Sequence, residues 1–152
     1  MQGAENGPVD ADGPGAREAA ARVVRDFLDA SMAPDPVRAA TFMADDVVIV
    51  FTGGRVMPDP AAVTAFNGAR YRWVKKALGD FDPIDRGDRV VVYATGTLCG
   101  EWPDGRPFEG NRYLDRYEVR GGKIIRMDVW NDSAEWLLDP SIARPLRVDD
   151  DV

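Results

Sequence analysis

The sequence predicts an α+β fold in which helices in the first half of the chain lead into a curved, mainly antiparallel sheet. Apolar residues first recur at helical spacing and later alternate at strand spacing. Helices and strands do not alternate regularly, which argues against a doubly wound parallel sheet. The length of 152 residues suits a single domain with its own core. We therefore expect a cone, formed by a curved sheet wrapped around a long helix, in which the N-terminal helices close a pocket.

Apolar stripes and capping residues mark the first two helices and the strand that follows them. A stripe of alanine, valine, phenylalanine and leucine predicts a helix over residues 16–31. The pair Asp35–Pro36 is a capping signal and opens a short second helix over VRAATFM. A run of β-branched and aromatic residues then predicts a strand over Asp46–Thr52.

The third helix is predicted from a second capping signal. The pair Asp59–Pro60 opens a longer helix that continues to Leu78, where a glycine ends it. In this helix Lys75 and Lys76 form a solvated C-terminal end, where positive charge is favourable. Trp73 lies on the apolar stripe of the same helix and is expected in the core.

Most of the remaining chain is predicted as strand. The predicted strands are FDPID, RVVVYATGTLCGEW, NRYLDRYEV and KIIRMDVWN. A short helix over DSAEWLLDP follows them. We expect one domain over residues 16–139, a disordered lead-in over residues 1–15 and a loose tail over residues 140–152.

Composition excludes several classes of function. The net charge of −7 argues against nucleic acid as a partner, because that affinity comes largely from neutralising phosphates. The chain contains no histidine, which excludes Ser-His and Cys-His nucleophilic systems and most zinc sites. We expect neither a metal nor another cofactor. No apolar run is long enough to cross a membrane, and the lone Cys99 suits a reducing cytoplasm.

The last hairpin raises the main question about function. Its loop, Arg120–Gly122, is typical of a three-residue connection with a left-handed glycine. This register places Asp115 opposite Met127 on an apolar face. That face comprises Tyr113, Asp115, Tyr117, Ile125, Met127, Val129 and Asn131. A two-residue Gly-Gly loop is the alternative, and it would place Asp115 opposite Asp128.

A carboxylate on an apolar face can do acid–base chemistry. Burial disfavours the ionised form of a carboxyl group. A protonated aspartic acid can donate a hydrogen bond to a substrate oxyanion, whereas an ionised one can act as a base. Without such a role, Asp115 would be tied to a neighbouring tyrosine hydroxyl or would reach solvent.

Three segments of the sequence resemble the NTF2-like, SnoaL-like superfamily. They are VVRDFLDA in the first helix, FMADDVVIV at the first strand and LDRYEVRGGKIIRMDVWND in the last hairpin. The superfamily includes ketosteroid isomerases, polyketide cyclases and limonene-epoxide hydrolases. Within it, EGNRYLDRYEVRGGKIIRMDVWN looks most similar to the phenazine-biosynthesis A/B proteins. The resemblance covers roughly residues 16–138; it implies the NTF2-like α+β cone and a homodimer packed through the outer face of the sheet.

The resemblance supports a catalytic role for Asp115. It also shows that apolar residues occupy the positions of the family's other catalytic residues. Asp115 falls where ketosteroid isomerases keep the protonated aspartate of their oxyanion hole. Their oxyanion tyrosine falls on Phe27 and their general base on Phe51. The last-strand carboxylate of phenazine A/B proteins and epoxide hydrolases falls near Val129. We therefore do not expect a steroid isomerase or an epoxide hydrolase of the known kind.

Two classes of function remain open. The first is a cofactor-independent isomerase, cyclase or dehydratase of secondary or polyketide metabolism that acts on a small hydrophobic molecule. Asp115 would donate or accept the proton, and Tyr113 or Tyr117 would orient the substrate. The predicted substrate-binding residues are Asn131, Met127, Val129, Phe27, Phe51 and Trp73. Asn131 could instead cap the final helix. The second class is a non-catalytic ligand-binding or assembly module.

Overall fold

A computed structural model describes residues 14–142, which form four α-helices and six strands. The helices are α1 (Pro14–Met32), α2 (Pro36–Ala40), α3 (Pro60–Arg70) and α4 (Ser133–Leu138). The strands are β1 (Met43–Phe51), β2 (Arg55–Met57), β3 (Trp73–Asp85), β4 (Val90–Glu101), β5 (Pro107–Arg120) and β6 (Lys123–Asn131). The predicted lead-in and tail lie largely outside the described residues. None of the helices in the described part has both the length and the hydrophobicity of a membrane span.

The strands form one mixed sheet in the order β2–β1–β6–β5–β4–β3. The β1–β6 pair is parallel, and the other neighbouring pairs are antiparallel. Helix α1 lies on the inner face of the sheet, where it contacts β3, β4 and β6. Its buried residues Val24, Phe27 and Leu28 form the centre of the core. The predicted α+β cone is confirmed, and α1 is its long helix.

The prediction that the third helix continues to Leu78 is wrong. Helix α3 ends at Arg70, and Tyr71 has an extended backbone with its ring buried. The following residues form β3, which pairs with β4 along almost its whole length. This pairing outweighs the local helical pattern, because a strand is stabilised mainly by its neighbours in the sheet. Lys76 therefore lies on a strand and not at a solvated helix end.

The last hairpin closes with the two-residue loop and not with the three-residue one. Gly121 and Gly122 have φ angles of 57° and 75°, and two positive φ angles are what a type I′ turn requires. The pair Arg120–Lys123 flanks the turn. The expected Arg120–Gly122 loop is therefore wrong.

A bulge next to this turn decides where Asp115 points. The register changes between Glu118 and Val119, because one extra residue enters β6 there. Asp115 consequently pairs with Val129, and neither Met127 nor Asp128 stands opposite it. The pairing differs by two residues from the three-residue register, so Asp115 keeps the predicted apolar face. The bulge does change which isoleucine lies on the apolar face. Ile124 is fully buried opposite Val119, whereas Ile125, which was predicted on that face, is only half-buried.

Candidate active site

An apolar cavity of about 100 Å³ lies between helices α1–α3 and the sheet. Five of the six residues predicted to bind substrate line it. They are Phe27, Phe51, Met127, Val129 and Asn131. Their role in binding remains a prediction, because their position shows only that they can reach a ligand.

Trp73 is not at the cavity, contrary to its predicted place. Its side chain is 45% exposed and borders a separate surface depression with Trp102 and Trp136. Successive residues of a strand point to opposite faces, so in β3 Val74 faces the cavity and Trp73 faces away. The error follows from the wrong secondary structure at this point.

Asp115 is fully buried and lies one layer behind the cavity wall. Its neighbour across the sheet, Val129, lines the cavity, as does Lys76. The Tyr117 hydroxyl donates a hydrogen bond to Asp115 Oδ2 at 3.0 Å. The Lys76 ammonium group forms an ion pair with the same oxygen. Within the described residues Asp115 Oδ1 has no hydrogen-bond partner, so the carboxylate retains an unused acceptor.

Lys76 is the cavity residue beside Asp115 that the sequence prediction missed. It lies on β3 opposite Leu98, and its side chain is 18% exposed. The long side chain crosses the ring of Tyr113, with Nζ 3.8 Å from the ring centroid, before it reaches Asp115. The alternation of Val74, Lys76 and Leu78 with exposed residues could have revealed a strand with an inward lysine.

Gly96 makes this crossing possible. It pairs with Tyr113 across β4 and β5, and the tyrosine ring lies against it. A Cβ atom at Gly96 would lie 2.8 Å from Tyr113 Cε1 and 2.2 Å from the Ala77 carbonyl oxygen. A side chain at this position would therefore displace the ring over which Lys76 passes.

The two tyrosines beside Asp115 are protonated at neutral pH. Burial, and next the negative charge of Asp115, raise the pKa of Tyr113 to about 12. The same causes, together with its hydrogen bond to Asp115, raise the pKa of Tyr117 well above its ordinary value. Neither ring lines the cavity, and both are almost completely buried. From these positions the tyrosines could influence the orientation of a substrate only indirectly, through Asp115 and Lys76.

A second, uncharged polar cluster lies at the end of the same sheet face. Ser133 Oγ accepts hydrogen bonds from the Tyr71 hydroxyl at 2.6 Å and from Asn111 Nδ2 at 2.8 Å. The backbone N–H of Ser133 donates to Asn131 Oδ1 at 3.1 Å. Burial is the main cause that raises the pKa of Tyr71 above its ordinary value. Tyr71 and Asn131 line the cavity, so this cluster also reaches it.

The cavity thus has an apolar interior with a charged pair on one side and a neutral donor–acceptor cluster on the other. A hydrophobic molecule that binds in it covers few polar groups, because the lining is mainly apolar. The Lys76 ammonium group can donate hydrogen bonds or a proton to an oxygen of such a molecule, and Asp115 stabilises its positive charge.

Comparison with known proteins agrees with the observed fold. The family model of the SnoaL-like domain matches residues 24–127. A search of curated protein sequences finds no significant match. The similarity to phenazine-biosynthesis proteins remains a prediction.

Solved structures of low sequence identity share the fold. An NTF2-like protein from Burkholderia pseudomallei aligns with a TM-score of 0.64 and 19% identity, over 79% of this chain and 95% of that one. IdmH from Streptomyces antibioticus, described as a candidate polyketide cyclase, aligns with a TM-score of 0.60 and 21% identity, over 80% and 98%. TerC, crystallised with polyporic acid, gives 0.63 and 20%, over 79% and 96%. The family match covers about two thirds of the sequence, and the chain belongs to the SnoaL-like family.

Proposed function

We propose that this protein is a cofactor-independent acid–base enzyme that isomerises, cyclises or dehydrates a small hydrophobic metabolite, as in secondary or polyketide metabolism. The observation that carries the proposal is the ion pair between Lys76, which lines the apolar cavity, and the fully buried Asp115. Burying a charged pair beside an apolar pocket is costly unless it is well compensated, which favours a functional reason for it.

In the proposed reaction Lys76 is the group that meets the substrate. Its ammonium group donates a proton to a carbonyl oxygen of the substrate. The neutral amine that remains then removes a proton from the α-carbon, which gives the enol and restores the ammonium group. Asp115 stabilises the protonated amine and accepts or returns a proton through it, and the Tyr117 hydroxyl holds the carboxylate in place. In a water-poor cavity such electrostatic stabilisation is stronger than in solution.

Support for the substrate class comes from the cavity and from the family. The interior is lined mainly by aromatic and aliphatic side chains, including Phe27, Phe51 and Met127, which favours a hydrophobic molecule. Structures of the same fold that are described as candidate polyketide cyclases fit this class, and TerC, which shares the fold, was crystallised with polyporic acid.

Solvent deuterium exchange tests the proposal without knowledge of the natural substrate. Small enolisable ketones such as cyclohexanone and 2-tetralone are incubated with the protein in D2O, and deuterium at the α-carbon is followed by proton NMR. We expect the wild-type protein to accelerate exchange for at least one ketone and Asp115→Asn to lose most of that acceleration. Absence of exchange across a broad panel of ketones that do bind would contradict an acid–base function.

The alternative is a non-catalytic ligand-binding module. Its support is that Phe27, Phe51 and Val129 are apolar and that Asp115 is completely buried behind the cavity wall. In that case the ion pair would serve stability alone. Ketones or other metabolites would then bind and raise the melting temperature without any exchange.

We also propose that the protein forms a homodimer through the outer face of the sheet. Trp130 is 53% exposed on this face and pairs with the 38% exposed Leu114, and the 43% exposed Val48 lies on β1 nearby. Ion pairs join Arg116 with Glu118 on the same face. Light scattering should give twice the mass of one chain for the wild-type protein and a single-chain mass for Trp130→Glu.

A further inference from the structure

The orientation of the Asn131 side-chain amide is fixed by its neighbour. Its Oδ1 accepts the backbone N–H of Ser133 at 3.1 Å, so the amide nitrogen must point the other way. Within residues 14–142 this nitrogen makes no hydrogen bond to protein, and Asn131 lines the cavity. Two amide N–H groups are therefore free to donate to a ligand. Asn131 therefore accepts a bond from the first residue of α4, whose N-cap is Asp132, and still offers donors.

The neighbour that fixes Asn131 is itself held in place. Ser133 is completely buried, and its hydroxyl oxygen accepts from Tyr71 and from Asn111. Asn111 is also completely buried, and its Oδ1 has no partner among the described residues. Such a buried network restricts the rotation of its members, since each loses a bond on moving. Asn131 is thus a preorganised donor.

A second donor, the Lys76 ammonium group, lies over the ring of Tyr113. Asn131 pairs directly with Tyr113 across β5 and β6, and Lys76 Nζ lies 3.8 Å from the centroid of that ring. The ammonium group has three N–H bonds, and its acceptor among the described residues is Asp115. Asn131 on β6 and Lys76 on β3 lie on opposite sides of Tyr113 in the sheet, and both line the cavity. They therefore present donors to the cavity from two sides.

We infer that Asn131 and Lys76 form a two-point donor site that selects compact molecules carrying two oxygen acceptors, of which 1,3-diketones and their enolates are the simplest. An enolate of this kind has its negative charge on both oxygens, so one oxygen is matched to the ammonium group and the other to the amide. Ser133 is the positioning residue for the amide. The inference rests on the proposed function for the use of Lys76, but its binding selectivity can be measured without any turnover.

Two neutral probes of matched shape test the donor site. They are 2,2-dimethyl-1,3-cyclohexanedione and 2,2-dimethylcyclohexanone, which differ by one oxygen. Their dissociation constants are measured by NMR titration. We expect the wild-type protein to bind the diketone about tenfold more tightly, the effect of one additional hydrogen bond to a rigid donor.

Asn131→Asp is the decisive variant. It keeps an oxygen for the Ser133 N–H and replaces the free donors by an acceptor, so the preference for the diketone should fall to about one. Asn67→Asp is the matched control, because it places the same charge in the same cavity on α3. It should keep the tenfold preference.

Ser133→Ala should lower the preference for the diketone by about threefold while the affinity for the monoketone stays the same. A purely structural loss would weaken the binding of both probes.

The outcomes separate this inference from the proposed function. If Asn131→Asp keeps the wild-type preference, the donor site is refuted whatever the exchange assay shows. If the preference depends on Asn131 and the wild-type protein exchanges no ketone, the donor site stands and the acid–base function fails. Should Asn131→Asp not fold, Asn131→Leu removes the donors with a similar shape and must likewise abolish the preference.

Discussion

The inner face of the sheet carries two polar clusters that differ in charge and in what they leave unpaired. The charged cluster, Lys76, Asp115 and Tyr117, contains an ion pair and leaves a carboxylate oxygen without a partner among the described residues. The neutral cluster joins Tyr71, Asn111, Ser133 and Asn131 by hydrogen bonds and leaves amide donors free. The first can move a proton, whereas the second can only bind and orient. In the proposed function, the neutral cluster would hold the substrate and the charged cluster would move the proton.

The difference also has energetic consequences that can be measured. An unpaired buried charge is far more costly than an unpaired neutral group. Losing one of the two ions of the charged cluster should therefore cost more stability than losing a member of the neutral cluster. The predictions below follow this order.

Lys76→Met should have the largest effect on stability. It leaves the carboxylate of the fully buried Asp115 without its counter-ion, and breaking such a pair costs about 3–5 kcal/mol. The free energy of unfolding from urea titration measures the loss. The double variant Lys76→Met with Asp115→Leu should recover most of it.

Lys75→Met is the matched control for that experiment. Lys75 is exposed on the neighbouring position of β3, and surface substitutions usually change stability by less than about 0.5 kcal/mol. Equal losses at Lys75 and Lys76 would show that the ion pair contributes nothing beyond the strand itself.

Ser133→Ala should have an intermediate effect. It removes the shared acceptor of Tyr71 and Asn111 and leaves buried donors unpaired, at a cost of about 2 kcal/mol. Thermal and urea unfolding measure this. A loss as large as that of Lys76→Met would contradict the ranking of the two clusters.

Tyr117→Phe and Tyr113→Phe should change the free energy of unfolding less than the preceding variants, and by different amounts. The Tyr117 hydroxyl donates to the Asp115 carboxylate, and loss of a hydrogen bond to a charged group costs about 1.5 kcal/mol. The Tyr113 hydroxyl is buried with no partner among the described residues, so its removal should cost about 0 kcal/mol or stabilise slightly. Urea unfolding of both variants distinguishes them, and an equal loss would refute the assigned bonding.

Alkaline pH should lower the stability gradually, because it acts on the two tyrosines only above the pKa that they have in the unfolded chain. The pKa of Tyr113 is raised to about 12 and that of Tyr117 lies well above its ordinary value, so the folded protein holds these protons more tightly than the unfolded chain. Stability is then complete below about pH 10 and falls as the pH rises towards 12. Urea unfolding between pH 9 and 11 should show this decrease, and the double phenylalanine variant should show a flatter one. A decrease that is unchanged in that variant would assign the effect to other groups.

The sequence predicted the fold and the apolar face of Asp115 for reasons that can be traced to particular residues. The order of elements follows from the apolar pattern and from the caps at Asp35 and Asp59, both of which bond the helix as expected. The change of loop and the bulge in β6 each shift the register by one residue. Asp115 kept its face because the two shifts add up to two residues, which is one full period of a strand. This agreement depends on a local irregularity that no propensity indicates.

The sequence did not predict the partner of Asp115. Lys76 reaches it across 39 residues of chain, and only because β3 is a strand and Gly96 leaves room for the Tyr113 ring. Local patterning assigned Lys76 to a helix end, since the pairing of β3 with β4 is a tertiary effect. The sequence also left open whether Asn131 would bind a ligand or cap the final helix. The N-cap is Asp132, and the Asn131 amide oxygen accepts the Ser133 N–H while the residue lines the cavity.

The central claim is that Lys76, held by Asp115, is the acid–base group of the cavity. The most direct test is the rate of α-deuterium exchange of the best ketone substrate in the wild-type protein, Lys76→Met and Lys123→Met, each checked for folding by circular dichroism. Lys123 is exposed and does not line the cavity, so its substitution controls for the loss of a lysine elsewhere. Positioned acid–base groups contribute about 10²–10⁴-fold to such rates. We predict a loss of at least 100-fold for Lys76→Met and an unchanged rate for Lys123→Met. A folded Lys76→Met protein that exchanges at the wild-type rate would contradict the account.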